Sequence, residues 1–264
     1  LYAEGVLKFL LWQRGGFRVH VDGPKEVVAH LQRVFGAGGP REFDAKFFAD
    51  IYRAKRFEVK AAGARLPEEN DVSKPVGRHL DGCRIGFDAG GSDRKVAAVV
   101  DGEEVFSVET VWEPKVRDDW RYHVEGVEDS LRQAAAKLPR VDAICVSTAG
   151  IVVDNEVRAA SLFRKVQERH PEDFRKHLRS IYVDAGKRWG VPVEVANDGD
   201  VTALAGAMSL KKNAVLGIAM GTSQAGGYVD PNGHITGWLN ELAFVPVDYA
   251  EGAPQDKEWS GDRG

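Results

Sequence analysis

The stretch Arg84-Ile85-Gly86-Phe87-Asp88-Ala89-Gly90-Gly91-Ser92-Asp93 constrains this chain more than any other. An apolar strand carries an acidic residue to its end, and two glycines and a hydroxyl follow. That order suits a nucleoside triphosphate. The strand holds Asp88 in place, Gly90 and Gly91 let backbone N–H groups approach phosphate oxygens, and the Ser92 hydroxyl can donate to one. Asp88 can hold Mg²⁺ through water. The same residue types also suit a plain hairpin turn, so the stretch points to phosphate only in company.

Two later segments supply that company. Gly221-Thr222-Ser223, with Gly226-Gly227 close behind, again follows an apolar strand, Val215–Met220. Two glycine loops at strand ends can clamp a triphosphate from opposite sides; a glycine-rich hairpin is the competing reading. Asn197-Asp198 stands between the strand Val193-Glu194-Val195 and a helix. Asn and Asp are favoured helix caps, and a carboxylate held rigidly at a cap is also well placed for general-base work. Asp198 then takes a proton from a hydroxyl attacking the γ-phosphate, in a reaction that asks mainly for positioning and charge neutralisation.

The charge balance narrows the field. Thirty-six basic against forty acidic residues give a net charge of -4 over 264 residues, which is no electrostatic footprint for nucleic acid. No apolar run reaches the roughly 18 residues of a membrane span. Cys83 and Cys145, the two cysteines, lie in apolar strand-like runs and read as buried free thiols in a reducing, cytoplasmic setting. The seven histidines show no metal-ligand spacing. Leu1–Val6 lacks both an initiator Met and the basic start of a signal peptide, so the chain is expected to begin inside a longer protein.

Along the chain, residues 1–62 read as an α/β segment: a strand at Phe17–Val21, a helix opened by Pro24, and a second helix after Pro40. Residues 63–82 are polar, Pro- and Gly-bearing, and read as a linker. From Cys83 a three-strand meander runs through Arg94–Val100 and Val105–Val108, followed by a helix on the face of Trp120, Val124, Val127, Leu131, Ala135 and Leu138. A buried strand begins at Ala143, a long helix is expected from Pro171 to Gly190, and a last helix ends near Leu210. A first lobe is expected over 83–196 and the start of a second over 197–264.

In this order the segments resemble the actin/hexokinase/Hsp70 superfamily of ATPases and, more narrowly, the ROK family (repressors, open reading frames and sugar kinases), over residues 82 to 250. Asp88-Ala89-Gly90-Gly91-Ser92 resembles the family's first phosphate motif, Asp-x-Gly-Gly-Thr. Ser147-Thr148-Ala149-Gly150-Ile151-Val152 resembles its sugar-side loop. Asn197-Asp198 matches the pair whose Asp is the catalytic base, and Gly221–Gly227 is similar to the second phosphate motif. Asn240-Glu241-Leu242-Ala243-Phe244 stands where the family has Gly-Glu-x-Gly-His.

The resemblance implies an α/β fold with actin-like, ribonuclease H-like lobes, each a mixed sheet flanked by helices, with an extra N-terminal α/β segment and an incomplete second lobe. It implies an ATP- and Mg²⁺-dependent kinase acting on a hydroxyl of a sugar, in a homodimer. Gly90, Gly91, Ser92, Gly221, Thr222 and Ser223 would hold phosphates, Asp88 would serve Mg²⁺, Asp198 would be the base, and Asn197, Glu241 and Gly150 would contact the sugar. The departures are specific. Phe244 replaces the zinc-binding His and no cysteine follows Cys145, so no structural zinc is expected. Ala149 replaces a proline, Ser161 stands near a sugar-binding Asn, and Asp93 occupies a position where many members carry Lys. They keep open a second reading, a catalytically weak or inactive regulator that binds sugar or nucleotide. Residues 1–62 lack the winged helix-turn-helix of the family's repressors, so DNA binding is not expected. An actin-like ATPase without a sugar acceptor is the third reading.

Overall fold

The computed structural model describes residues 2–63, 66–69, 71–220, 224–250 and 252–257. Helix α1 (Tyr2–Arg14) leads into strand β1 (Arg18–Val21), helices α2 (Lys25–Val34) and α3 (Glu42–Ile51), and strands β2 (Glu58–Ala61) and β3 (Ser73–Lys74). The meander follows as β4 (Cys83–Ala89), β5 (Asp93–Val100) and β6 (Glu103–Val111). Next come α4 (Trp120–Ala135), β7 (Ala143–Thr148), the hairpin of β8 (Ile151–Val153) and β9 (Glu156–Ala159), α5 (Arg164–Arg169), α6 (Pro171–Asp173) and α7 (Ile181–Trp189). Strand β10 (Val193–Asn197) runs directly into α8 (Asp198–Leu210), and β11 (Val215–Met220), β12 (Gln224–Val229) and β13 (Ile235–Thr236) close the described structure.

The chain divides into two compact units, 1–75 with 212–264, and 76–211. These differ from the sequence-based boundaries at 62, 82 and 196. The 76–211 unit is built on a five-stranded sheet in the order β10-β7-β4-β5-β6. Strands β10, β7 and β4 run parallel, β5 pairs antiparallel with β4, and β6 pairs antiparallel with β5. This mixed sheet, three meander strands followed by two crossover strands, is the ribonuclease H-like topology the sequence resembles.

Alternation decides what each face of that sheet does. Ile85, Phe87 and Ala89 of β4, with Val96, Ala98, Ile144, Val146 and Val195, point into one core. Helices α4 and α7 close that core with Val127, Leu131, Ala134, Ile181, Tyr182 and Ala185. Each fully buried aliphatic or aromatic side chain there contributes about 1.5–3 kcal/mol over its exposed state. Gly86 and Asp88, with Lys95, Ala97, Ser147 and Ala196, face the other way. Asp119 caps α4 by accepting from the Arg121 N–H at 3.0 Å. The helix expected from Pro171 to Gly190 is broken: α6 passes into a π-helical turn at Phe174–Leu178 before α7, which Gly190 ends in the left-handed conformation at φ 69°.

The 1–75 and 212–264 unit joins segments remote in sequence. Strands β11, β12, β13 and β3 form one antiparallel sheet, in which β3 pairs Ser73 with Thr236 and Lys74 with Ile235. Strands β1 and β2 pair in parallel, with α2 and α3 in the connection between them. Helix α1 is apolar around most of its circumference and buries Leu7, Leu11 and Trp12. Its last turn receives the later segment: the Gln13 carbonyl accepts from Asn240 N–H at 2.9 Å and the Trp12 carbonyl accepts from Glu241 N–H at 3.1 Å. Among the described residues no helix is long and apolar enough to cross a membrane.

Candidate active site

Asp88 projects from the end of β4 on the open face of the five-stranded sheet. The strand register fixes its neighbours: Lys95 of β5 stands opposite it on one side and Ser147 of β7 on the other. All three line a groove of about 570 Å³ across that face. Helix α8 contributes Val201 and Leu204 to the groove, and Val76, Gly77, Glu109 and Glu194 line it too. Cys145 also lines it and is exposed, not buried as its apolar neighbours suggest, because alternation along β7 turns it to the open face.

Asp198 arrives at the same site from the junction of β10 and α8. Asn197 is the N-cap of α8, and its side-chain oxygen accepts from Gly199 N–H at 2.7 Å. Its amide nitrogen donates to the Gly150 carbonyl at 2.8 Å. Asn197 thereby ties the cap to the β7–β8 loop and holds the first turn of α8. The Gly199 N–H also meets Asp198 Oδ1 at 2.9 Å. Burial raises the Asp198 carboxyl above the ordinary aspartate range; the Gly199 N–H opposes that shift and the charge of Asp88 adds to it. Asp88 and Asp198 therefore form an interacting carboxylate pair, of the kind that suits a general base beside a cation site.

The loop after β4 is braced from beneath by Trp112. Its indole N–H donates to the Gly90 carbonyl at 2.9 Å and its backbone N–H to the Ser92 carbonyl at 3.1 Å. The Ser92 hydroxyl donates to Asp93 Oδ2 at 2.9 Å, and Lys95 Nζ meets Asp93 Oδ1 at 2.6 Å. Asp93 is thus engaged on both carboxylate oxygens, and these contacts hold its pKa below the usual range. Beneath Asp88, Tyr182 is fully buried and shares a hydrogen bond of 3.1 Å with the Thr148 hydroxyl; burial keeps its phenol protonated. Neither Trp112 nor Tyr182 carried a sequence signal for this role, since apolar-face aromatics are ordinarily core.

Asp88, Gly90, Gly91, Ser92, Gly150, Asn197 and Asp198 all belong to the 76–211 unit. Glu241 belongs to the other unit, where it is buried. Gly221, Thr222 and Ser223 lie outside the described residues. The strand pairing around them is described: Met220 pairs with Gln224, and Gly226 and Gly227 lie within β12, not in a loop. Trp238 has one face covered by the Arg14 guanidinium at 3.4 Å and stacks with Tyr228 at 5.9 Å.

The donor chemistry fits Mg²⁺ within limits. Asp88 offers hard carboxylate oxygens. Among the described residues no group of three or more His, Cys, Asp or Glu forms a metal cage, so an ion held here keeps water and phosphate ligands, as Mg²⁺ ordinarily does.

No protein-family model matches the chain, and no curated protein matches it. Solved structures do. A ROK hexokinase from Thermus thermophilus aligns at TM-score 0.49 and 19% identity, over 66% of this chain and 55% of that one. An inorganic polyphosphate/ATP-glucomannokinase from Arthrobacter sp. strain KM aligns at TM-score 0.44 and 23% identity, over 64% and 65%. A ROK family transcriptional regulator, a homolog of the E. coli MLC protein, aligns at TM-score 0.49 and 14% identity, over 97% and 61%. The chain spans less than two thirds of the length of each.

Proposed function

We propose that the chain belongs to a ROK-type kinase that transfers the γ-phosphoryl group of ATP to a hydroxyl of a sugar or sugar derivative. The observation that carries this reading is the Asp88–Asp198 pair. Asp198 is held at a helix cap, and its carboxyl is raised by burial and by the Asp88 charge, which makes it a stronger base than a free aspartate. In the proposed reaction Asp198 accepts the proton of the sugar hydroxyl as that oxygen bonds to the γ-phosphorus. The bond from the γ-phosphorus to the bridging oxygen breaks, and ADP leaves with the electron pair. Asp88 would hold Mg²⁺, which would neutralise the phosphate charge.

Gly90, Gly91 and Ser92, with Gly221, Thr222 and Ser223, are assigned to the phosphates, and Asn197, Gly150 and Glu241 to the sugar. The free thiols of Cys83 and Cys145 fit a reducing, cytoplasmic setting.

One observation favours a second reading. The Ser92 hydroxyl, which the phosphate loop would offer to ATP, is already donated to Asp93. A regulator that binds a sugar or nucleotide without turnover is compatible with that arrangement. ADP release measured against a panel of hexoses and N-acetylhexosamines, beside calorimetric sugar binding without nucleotide, separates the two. Sugar-dependent turnover that Asp198→Asn abolishes supports the kinase. Sugar binding with no turnover selects the regulator, and ADP release that no sugar stimulates rejects both.

A further inference from the structure

We propose that Lys115 is the cation of the first phosphate loop and binds the terminal phosphoryl oxygens of the triphosphate. The inference rests on the kinase reading above and extends it to a residue outside every motif. A Cβ built on Gly91 would lie 2.6 Å from both Cε and Nζ of Lys115. The lysine tip therefore lies directly over the glycine, in the space a side chain at this position would share with it.

The chain leading to Lys115 is anchored on both sides. Trp112 is buried and bonded to Gly90 and Ser92. Pro114 is buried at the start of the single 3-10 turn Pro114–Val116. The Glu113 N–H donates to the Tyr122 hydroxyl at 2.9 Å. Held this way, the turn presents a half-buried Lys115 to the loop at little entropic cost, since its stem already packs on Gly91.

The surrounding charges leave that ammonium without a counter-ion. Among the described residues Lys115 makes no ion pair. Glu113, two residues before it, meets Arg117 at 3.1 Å, and Asp93 of the loop is engaged by Lys95 and Ser92. Arg94, which follows the loop, turns away to Asp129 at 2.7 Å. An ammonium without an ion pair above a glycine turn suits an anion. The Lys115 ammonium would offset the negative charge that Asp93 brings to the loop and leave the site attractive to a phosphoryl oxygen.

The test uses the whole chain with Lys115→Met, Lys115→Glu and Lys115→Arg. Binding of MgATP and of tripolyphosphate is measured by calorimetry, with sugar-dependent turnover and thermal melting alongside. The expected result is an affinity for both ligands at least tenfold weaker in Lys115→Met, weaker again in Lys115→Glu, and largely restored in Lys115→Arg. Melting temperature and the KM for sugar should be unchanged. Wild-type turnover with Lys115→Met binding and turning over equally well overturns the assignment and leaves the kinase reading intact. Tripolyphosphate binding that depends on Lys115, without sugar turnover, supports the anion site and rejects the kinase. A wild-type chain that binds neither ligand rejects both.

Discussion

Phe244 stacks on Trp12 with ring centroids 4.3 Å apart and planes inclined by 14°. Trp12 also packs against Phe47 and Phe48, and its indole N–H donates to the buried Asp44 at 2.8 Å. At the position where the sequence resemblance places a zinc-binding His, this chain carries an aromatic that docks on its own N-terminal helix. The first 62 residues, which had no role in the sequence reading, thereby build part of the unit that carries Glu241.

Separating the two rings should therefore loosen both segments. Trp12→Ala is expected to cost about 3–5 kcal/mol as a large core truncation. A double-mutant cycle of Trp12→Leu with Phe244→Leu should return a coupling of about 0.5–1.5 kcal/mol. Urea unfolding followed by circular dichroism measures both, and strict additivity would show that the stack carries no specific energy.

Asp198→Asn trades activity against stability. On the proposed kinase reading, in which Asp198 is the base, the variant should lower kcat by about 10²–10⁴-fold, with nucleotide affinity little changed. The raised pKa means that the folded chain holds ionised Asp198 less comfortably than the unfolded chain does. A neutral isostere relieves that penalty, so the variant should melt at a higher temperature at pH 7. In the wild type, kcat/KM should fall on the acid side through a pKa above the ordinary aspartate value. A limb at or below that value would contradict the assignment of Asp198 as base.

His123 makes the 76–211 unit acid-sensitive. It is fully buried against Trp112, Tyr122 and Phe163, and neither ring nitrogen has a hydrogen-bond partner among the described residues. Burial lowers its pKa from 6.5 to about 4, against a smaller upward pull from the Arg117 backbone and Asp119. The unfolded chain then binds a proton that the folded chain refuses. Stability is full above about pH 6.5 and declines as the pH falls towards about 4, by about 3 kcal/mol in all. His123→Phe should flatten that part of the profile, read as chemical-denaturation midpoints across pH; an unchanged slope would assign the acid sensitivity to other groups.

Gly150→Ala is expected to damage the site through the backbone. Gly150 has φ 105°, and an added Cβ would strike the Ala159 carbonyl oxygen. The strain, about 1–3 kcal/mol, falls on the residue whose carbonyl receives the Asn197 amide. Crystallography of the variant should show the Asn197–Gly150 bond lengthened or lost. Activity should fall even where the melting temperature is restored by added sugar.

Local pattern determined much of this protein. The apolar run ending at Asp88 announced β4, while the two faces of that strand emerged only with the sheet. The spacing from Val127 to Leu131 announced α4, and Asn197-Asp198 announced a helix start that the structure contains. These are readable because strand and helix periods are written by neighbouring residues. Other elements were not. Helix α1 is apolar on nearly every side, so no face stood out. The helix after Pro171 has an unbroken apolar face, yet its middle turn widens to a π-turn.

What only the tertiary structure decided are the meetings of segments distant in sequence: β3 with β13, Trp12 with Phe244, the Asp88 charge with Asp198, and Lys115 over Gly91. Each depends on closing a long stretch of chain, whose cost is repaid by burial summed over an entire unit. No local run of residues encodes that sum, and so the turn after β4 was legible in its glycines while the lysine lying over Gly91 was not.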